Sequence, residues 1–420
     1  MTPVYYPRPG GGFSAAWSER VPGAMTHPGP RHNTWGQSAS PDHAPSGALV
    51  PIAAVLDTLW KPRGFHANPA TGAPGSIAQR AIPSAGACYP VQVHLLCGAG
   101  CDVPPGIHAY HPQDSTTHRR AGSSPDMAGA IVVFTVLPQR TLAKYHHRAL
   151  PLLLADTAYA LLGVLHHAAS RGLKSRWLTA DPASLAAAAR LPDYARWQEH
   201  WPDTGPELAL AALAVGTGDK LPELAPWVSS TEPVDPPQPC PQRQPHTLAA
   251  VARWVTGPGL RHPEEPLELG RGTGVTARQV LRRRSLVLAA TATQMPAAPT
   301  PLPWQRLLES FALPAPAGCG VLVLDRGRIR EQKLHLDCAG QHWIKSLDGL
   351  LLFRTDTEPN PQALWWAAGA AAHVLYSSLS AELDFTFRPV SGWTGTLNGF
   401  TTLHALGFRA PRSEGNTHAG

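Results

Sequence analysis

Short apolar runs along the chain are separated by long stretches rich in proline, glycine and small polar residues. Two runs stand out, residues 151–170 and 363–379, each nearly all apolar and of helical length. A helix that is apolar all round has to be buried all round, so both predict central core helices. The first stops before Gly172, where a left-handed residue can close a helix. Residues 49–59 predict a shorter helix. Apolar runs at 91–96, 106–110, 130–136 and 207–215 predict buried strands, the last closed by Gly216-Thr217-Gly218. Glycine, proline and asparagine between 60 and 79 predict a loop. Residues 173–191 read as an exposed loop leading into an alanine-rich helix.

Beyond residue 220 the pattern changes, then returns. Residues 233–245 carry Pro-Pro-Gln-Pro-Cys-Pro-Gln, which favours extended polyproline geometry, so residues 221–266 predict a linker. A helix from about 277, a second at 303–311, a strand at 320–325, the long helix at 363–379 and a strand at 401–405 follow. Helix, loop, strand, long helix and strand thus occur twice, which points to duplication of one fold. The expectation is an α+β protein of two mixed sheets flanked by helices. Its units are an irregular arm at 1–48, a domain at 49–220, the linker, a second domain at 267–412 and a tail at 413–420. The arm is expected to be ordered only against the rest of the chain.

Composition narrows the function classes. Of 420 residues, 43% are apolar and only 15% charged, and 45 are proline. Soluble proteins usually carry about 25% charged residues, so the chain is poor in charge while rich enough in apolar residues for a large core. The net charge of +6 suits an anionic cofactor or an acidic peptide. Without a clustered Lys/Arg stripe it argues against nucleic acid. Six cysteines, at 88, 97, 101, 240, 319 and 338, give one C-x3-C and no second pair, so no metal is expected. No secretory signal or free-standing membrane span is read from the pattern, and a cytoplasmic location is expected.

Three segments carry candidate chemistry. Arg80 precedes the turn Pro83-Ser84-Ala85-Gly86-Ala87-Cys88-Tyr89-Pro90, whose small residues let backbone N–H groups approach a flat ligand. Lys144-Tyr145, with Arg148 following, places a cation beside a phenol. A neighbouring positive charge favours phenolate, so the pair is a candidate proton-transfer device. The third is Val215-Gly216 at the end of the buried strand that starts at Glu207. In order, these segments resemble the SagB-type azoline dehydrogenases, a branch of the nitroreductase-like FMN proteins. The likeness includes the turn at 83–90, the hairpin Pro105-Gly106-Ile107-His108-Ala109-Tyr110-His111-Pro112, and Lys144-Tyr145-His146-His147-Arg148 followed by Asp156 and Gly172-Leu173. It covers roughly residues 49–220. Two features depart from it: Tyr159 stands where the family has a histidine, and no Arg-Arg-Ser opening precedes residue 49. That opening resembles Arg282-Arg283-Arg284-Ser285 instead, and Gly407-Phe408-Arg409-Ala410-Pro411-Arg412 resembles the family's closing segment.

The resemblance implies two tandem nitroreductase-like domains forming an intramolecular pseudo-dimer with one competent FMN site. FMN phosphate would meet Arg283, Ser285 and Arg409 or Arg412. The flavin ring would lie against Pro83, Ser84, Ala85 and Gly86, with Arg80 as a further contact and Lys144 and Tyr145 as the catalytic pair. The implied reaction is oxidation of thiazolines or oxazolines in a ribosomally made precursor peptide, in company with a cyclodehydratase. Alternatives are a flavin oxidase acting on a carrier-bound azoline or a small nitro or quinone compound, and a non-catalytic peptide-binding scaffold.

Overall fold

A computed structural model describes residues 16–17, 24–33, 35, 49–67, 71–122, 124–200, 206–228, 251–252, 255, 268–269, 275–282, 304–334, 338, 341–380, 385–390, 392–394 and 396–409. Its strands form three sheets. A hairpin pairs β1 (Gly64–Ala67) with β2 (Pro74–Gln79). The main sheet comprises β3 (Val91–Cys97), β4 (Gly106–His111), β5 (Thr116–Ala121), β6 (Ala130–Val136), β7 (Lys174–Leu178), β8 (Leu208–Gly216) and β9 (Glu268–Leu269). Their order is β5-β4-β3-β6-β8-β7-β9. The second sheet joins β10 (Cys319–Asp325), β11 (Gly349–Thr355), β12 (Thr386–Val390) and β13 (Thr401–Arg409) in the order β10-β11-β13-β12.

Every pairing between named strands is antiparallel, where mixed sheets were expected. The reason lies in β8. Strands β6 and β7 run the same way across a helical connection, and β8 inserts between them. Two further expectations are corrected. Residues 64–79 form a hairpin, because strand pairing tolerates their Gly and Pro at an exposed edge. Residues 174–178 are strand β7, with Trp177 buried, in place of an exposed loop. Strands β5, β9, β11 and β12 were not anticipated.

Helices α1 (Ile52–Trp60), α2 (Pro138–Tyr145), α3 (Ala149–Ser170) and α4 (Pro361–Ser380) complete the frame around the site. The two long helices pack on each other; α3 is backed by the main sheet and α4 by the second, giving the layers sheet–helix–helix–sheet. That sandwich explains why both are apolar on all sides: each has protein in front and behind. One segment among the described residues, Pro138–Ser170, is long and apolar enough to cross a membrane, and it lies almost entirely inside this core. Helix α3 ends as anticipated. Gly172, at φ 73°, and Leu173 donate their N–H groups to Ala169 and Ala168 respectively, a Schellman closure.

The opposite face of the main sheet carries a second core around Trp35, Trp197 and Trp227. The described parts of the N-terminal arm pack against the body of the chain. The anchor is Glu207, whose carboxylate accepts hydrogen bonds from Asn33 (3.0 Å), Trp35 (2.8 Å), Thr135 (2.7 Å) and His94 Nε2 (2.6 Å). Burial alone would push this carboxyl up, but His94 and the other donors hold it at about 2. Arg120 donates to His94 Nδ1 at 3.1 Å, so His94 is a neutral ring passing a hydrogen bond between two charged groups.

Candidate functional site

The turn before β3 is held in a demanding backbone conformation. Gly86, Ala87 and Tyr89 have φ values of 55°, 55° and 46°, and left-handed backbone is costly for residues other than glycine. Asp156 of α3 holds the turn there. Its carboxylate accepts from Ser84 Oγ at 2.6 Å and from the Ala85 N–H at 2.9 Å, while Ser84 Oγ accepts from the Tyr89 N–H at 2.8 Å. Asp156 is 4% exposed, and burial raises its carboxyl to about 7 in spite of those two donors.

Helix α2 delivers the second component. Pro138 starts it, and Lys144 and Tyr145 form its last turn. Lys144 Nζ donates to the Gly86 carbonyl at 3.1 Å. A methyl group at position 86 would sit 2.3 Å from the Tyr145 hydroxyl and 2.5 Å from Lys144 Nζ. Glycine is thus required twice, by φ and by the closeness of both side chains. The expected depression of the Tyr145 phenol is corrected here. Burial, with Cys88 and Asp156 nearby, holds its pKa well above the ordinary range. The same surroundings push the buried Cys88 thiol to about 11, so it is protonated at neutral pH.

Arg80 and Pro83 line a recess with Trp60, Ser84, Tyr89 and Asp156. The Arg80 guanidinium lies 4.7 Å over the Tyr89 ring, and its buried Nε has no hydrogen-bond partner. Arg409, at the end of β13, donates to the Ser346 carbonyl (3.1 Å) and hydroxyl (2.8 Å). Arg283, Ser285 and Arg412 lie outside the described residues. The structure therefore brings Ser84, Ala85, Gly86, Lys144 and Tyr145 together, adds Asp156 as their common support, and sets Arg80 and Pro83 beside them.

Two arginines near this cluster were missed from sequence. Arg140 donates to the Cys88 carbonyl at 2.6 Å and to Pro30 at 3.0 Å, fastening the arm to the turn. Arg388 of β12 comes from the other half of the chain. It stacks 4.4 Å over Trp343 and lies close enough to Tyr145 for each to shift the other. Arg148, from the Lys-Tyr-x-x-Arg segment, likewise reaches across, donating to Gly392 at 3.3 Å. Tyr159, standing where the resembled family has histidine, is hydrogen-bonded to His404 Nε2 at 3.1 Å.

This arrangement of sheets around paired long helices is shared with a candidate nitroreductase from Anabaena variabilis. The two structures match over 86% of this chain and 88% of that one, with a TM-score of 0.58 and 13% identity. The fold is nitroreductase-like. Weaker matches are to the Escherichia coli microcin synthetase McbBCD complex with truncated pro-MccB17 bound (TM-score 0.30, 16% identity, 52% of this chain and 80% of that one) and a candidate nitroreductase from Ralstonia eutropha (TM-score 0.22, 16% identity, 48% and 97%). No protein-family model matches the chain, and no curated protein sequence matches it. Within the nitroreductase-like fold, the turn at 83–90 leads into β3 of the main sheet, and Lys144 and Tyr145 end the helix leading into α3.

Proposed function

We propose that this protein is an FMN-dependent dehydrogenase that oxidises thiazoline or oxazoline rings in a ribosomally made peptide to thiazoles or oxazoles. The observation that carries the reading is the contact of Lys144 and Tyr145 with Gly86. It joins two motifs 58 residues apart at a left-handed turn whose missing side chain lets both functional groups lie against the backbone. The residues fit a flavin. Gly86 has no side chain to obstruct the ring, Arg80 keeps an unpartnered buried Nε, and Arg283, Ser285, Arg409 and Arg412 are the arginine and serine positions we assign to the phosphate. We take the two halves to be tandem nitroreductase-like domains, paired within one chain through α3 and α4.

Bound FMN supplies a two-electron, hydride-accepting centre that dioxygen can reoxidise. The chain's part is the proton. As a ring Cβ hydrogen departs with its electron pair, the Cα–H must lose its proton and leave the second double bond of the aromatic ring. Because burial keeps the Tyr145 phenol protonated, the proton would go to Lys144 in its neutral amine form, with the Tyr145 hydroxyl positioning the ring.

Mass spectrometry of an azoline peptide incubated with the yellow protein in air tests the reading, with a loss of two hydrogens per ring as the expected result. A positioned proton acceptor contributes typically about 10²–10⁴-fold. Lys144→Ala and Tyr145→Phe should each slow turnover on the order of a hundredfold, non-additively and with flavin retained. Near wild-type aromatisation by the double variant would sink the assignment of the pair.

A further inference from the structure

The tip of the β4–β5 hairpin holds a cluster that the flavin reading does not use. His111 ends β4, Thr116 opposes it at the start of β5, and His118 follows two residues later. Side chains two apart on a strand share a face, so His111, Thr116 and His118 point the same way, on the side of the sheet away from α3. Asp114 sits in the connecting turn. Ligand-capable atoms of His111, Asp114 and His118 all lie within 4.8 Å of one another. The two imidazole rings are 3.9 Å apart, and His32 of the arm lies 5.1 Å from His111.

Hydrogen bonding fixes which nitrogen is available. Thr116 Oγ1 lies 2.8 Å from Asp114 Oδ1 and 3.0 Å from His118 Nε2. A hydroxyl has one proton and a carboxylate only accepts, so Thr116 donates to Asp114 and His118 Nε2–H donates to Thr116. His118 Nδ1 is then left with a bare lone pair, and it is buried without a hydrogen-bond partner. His111 Nε2 is in the same condition, and the two residues are only 7% and 6% exposed. Two ring nitrogens buried without partners on one face of the hairpin are costly unless something binds them. Imidazoles, a carboxylate and an outer hydroxyl that orients one ring are the components of a zinc-type site.

We propose that His111, Asp114 and His118 bind a divalent cation of the zinc class, with the fourth position on the side of His32 of the arm, whose ring lies 5.1 Å from that of His111. The cysteine pattern had argued against metal, but these ligands are histidines contributed by a hairpin and an arm. The cation clamps the arm across the main sheet, next to the Glu207 anchor at Asn33 and Trp35.

The test uses the full chain, stripped by chelator, loaded with Zn²⁺ or Co²⁺ and dialysed. One zinc per chain should be retained and should raise the Tm. Cobalt should give the intense visible bands of a four-coordinate nitrogen–oxygen site. His118→Ala should lose retained zinc, and Asp114→Asn, an exposed turn position that leaves folding intact, should weaken binding at least tenfold. Equal retention by Asp114→Asn and His118→Ala, or no retention by the wild type, overturns the proposal. A near-ultraviolet thiolate-to-cobalt band also overturns it, since that would place the metal on cysteines such as Cys97 and Cys101.

Discussion

The side chain that organises the candidate site is Asp156, which touches both the turn's backbone and Ser84. In the unfolded chain its carboxyl ionises near 3.8, and in the folded protein near 7. The folded state therefore keeps a proton that the unfolded state releases across that window. The resulting stability is fully present below pH 3.8 and is lost as pH rises towards 7, a change on the order of 4 kcal/mol. Asp156→Asn can still accept from the Ala85 N–H and can donate to Ser84 Oγ, so it should fold. Its urea midpoint should fall much less between pH 4 and 7 than that of the wild type. Parallel profiles for the two proteins would show that Asp156 titrates normally. Glu207 works in the opposite sense: its stability is present above about 4.5 and is lost as pH falls towards 2.

At the scale of elements, the decisive contact is α3 against α4, and Gly163 marks its closest point. A methyl group there would meet the Tyr376 hydroxyl at 2.8 Å, and that hydroxyl donates to the Tyr159 carbonyl at 3.1 Å. Glycine to alanine in a helix ordinarily gains about 1 kcal/mol, but overpacking a core costs about 1–3 kcal/mol. Gly163→Ala should therefore destabilise the protein, and most of that loss should vanish in a Tyr376→Phe background, as a double-mutant cycle by urea unfolding would show. Additive losses would mean the helices are not in contact there. These two helices were legible in the sequence because protein on every side leaves no polar stripe; β3, β6 and β8 were legible for the same reason. The edge strands were not. In β5, Thr-Thr-His-Arg-Arg-Ala has few apolar residues to show a strand, and the β1–β2 hairpin is hidden by its glycine and proline. At the site, the small residues of the turn and the Lys-Tyr pair could be read locally. Arg140 and Arg388 could not, because a single arginine carries no pattern until the fold supplies its partners. The raised Tyr145 phenol was also out of reach, since burial there outweighs the adjacent lysine.

On the scale of the whole molecule, the sandwich of two sheets around two helices places residues of both halves about one cluster. The turn, Lys144 and Tyr145 come from the first half and Arg388 from the second, while Arg148 and Tyr159 reach across to Gly392 and His404. The halves differ in what they retain. Only the first has the Pro-Ser-Ala-Gly turn and the Lys-Tyr pair, and only the second has Arg282-Arg283-Arg284-Ser285. A chain built this way should hold one FMN, noncovalently, and not the two of a symmetric pair. Flavin released by denaturing the purified full chain, divided by protein, should give a ratio near one; a ratio near two would show that both halves bind independently. Replacing Arg283 with Ala should then weaken retention. A hydrogen bond to a charged group is worth about 1.5–3 kcal/mol, and about 1.4 kcal/mol is tenfold in Kd, so the loss should be roughly ten- to a hundredfold. Lys144→Ala, on the other half, should leave flavin content unchanged and lower only turnover. If Arg283→Ala keeps its full flavin through dialysis, the arginine row is a solvated helix face and the second half does not contribute to the phosphate site.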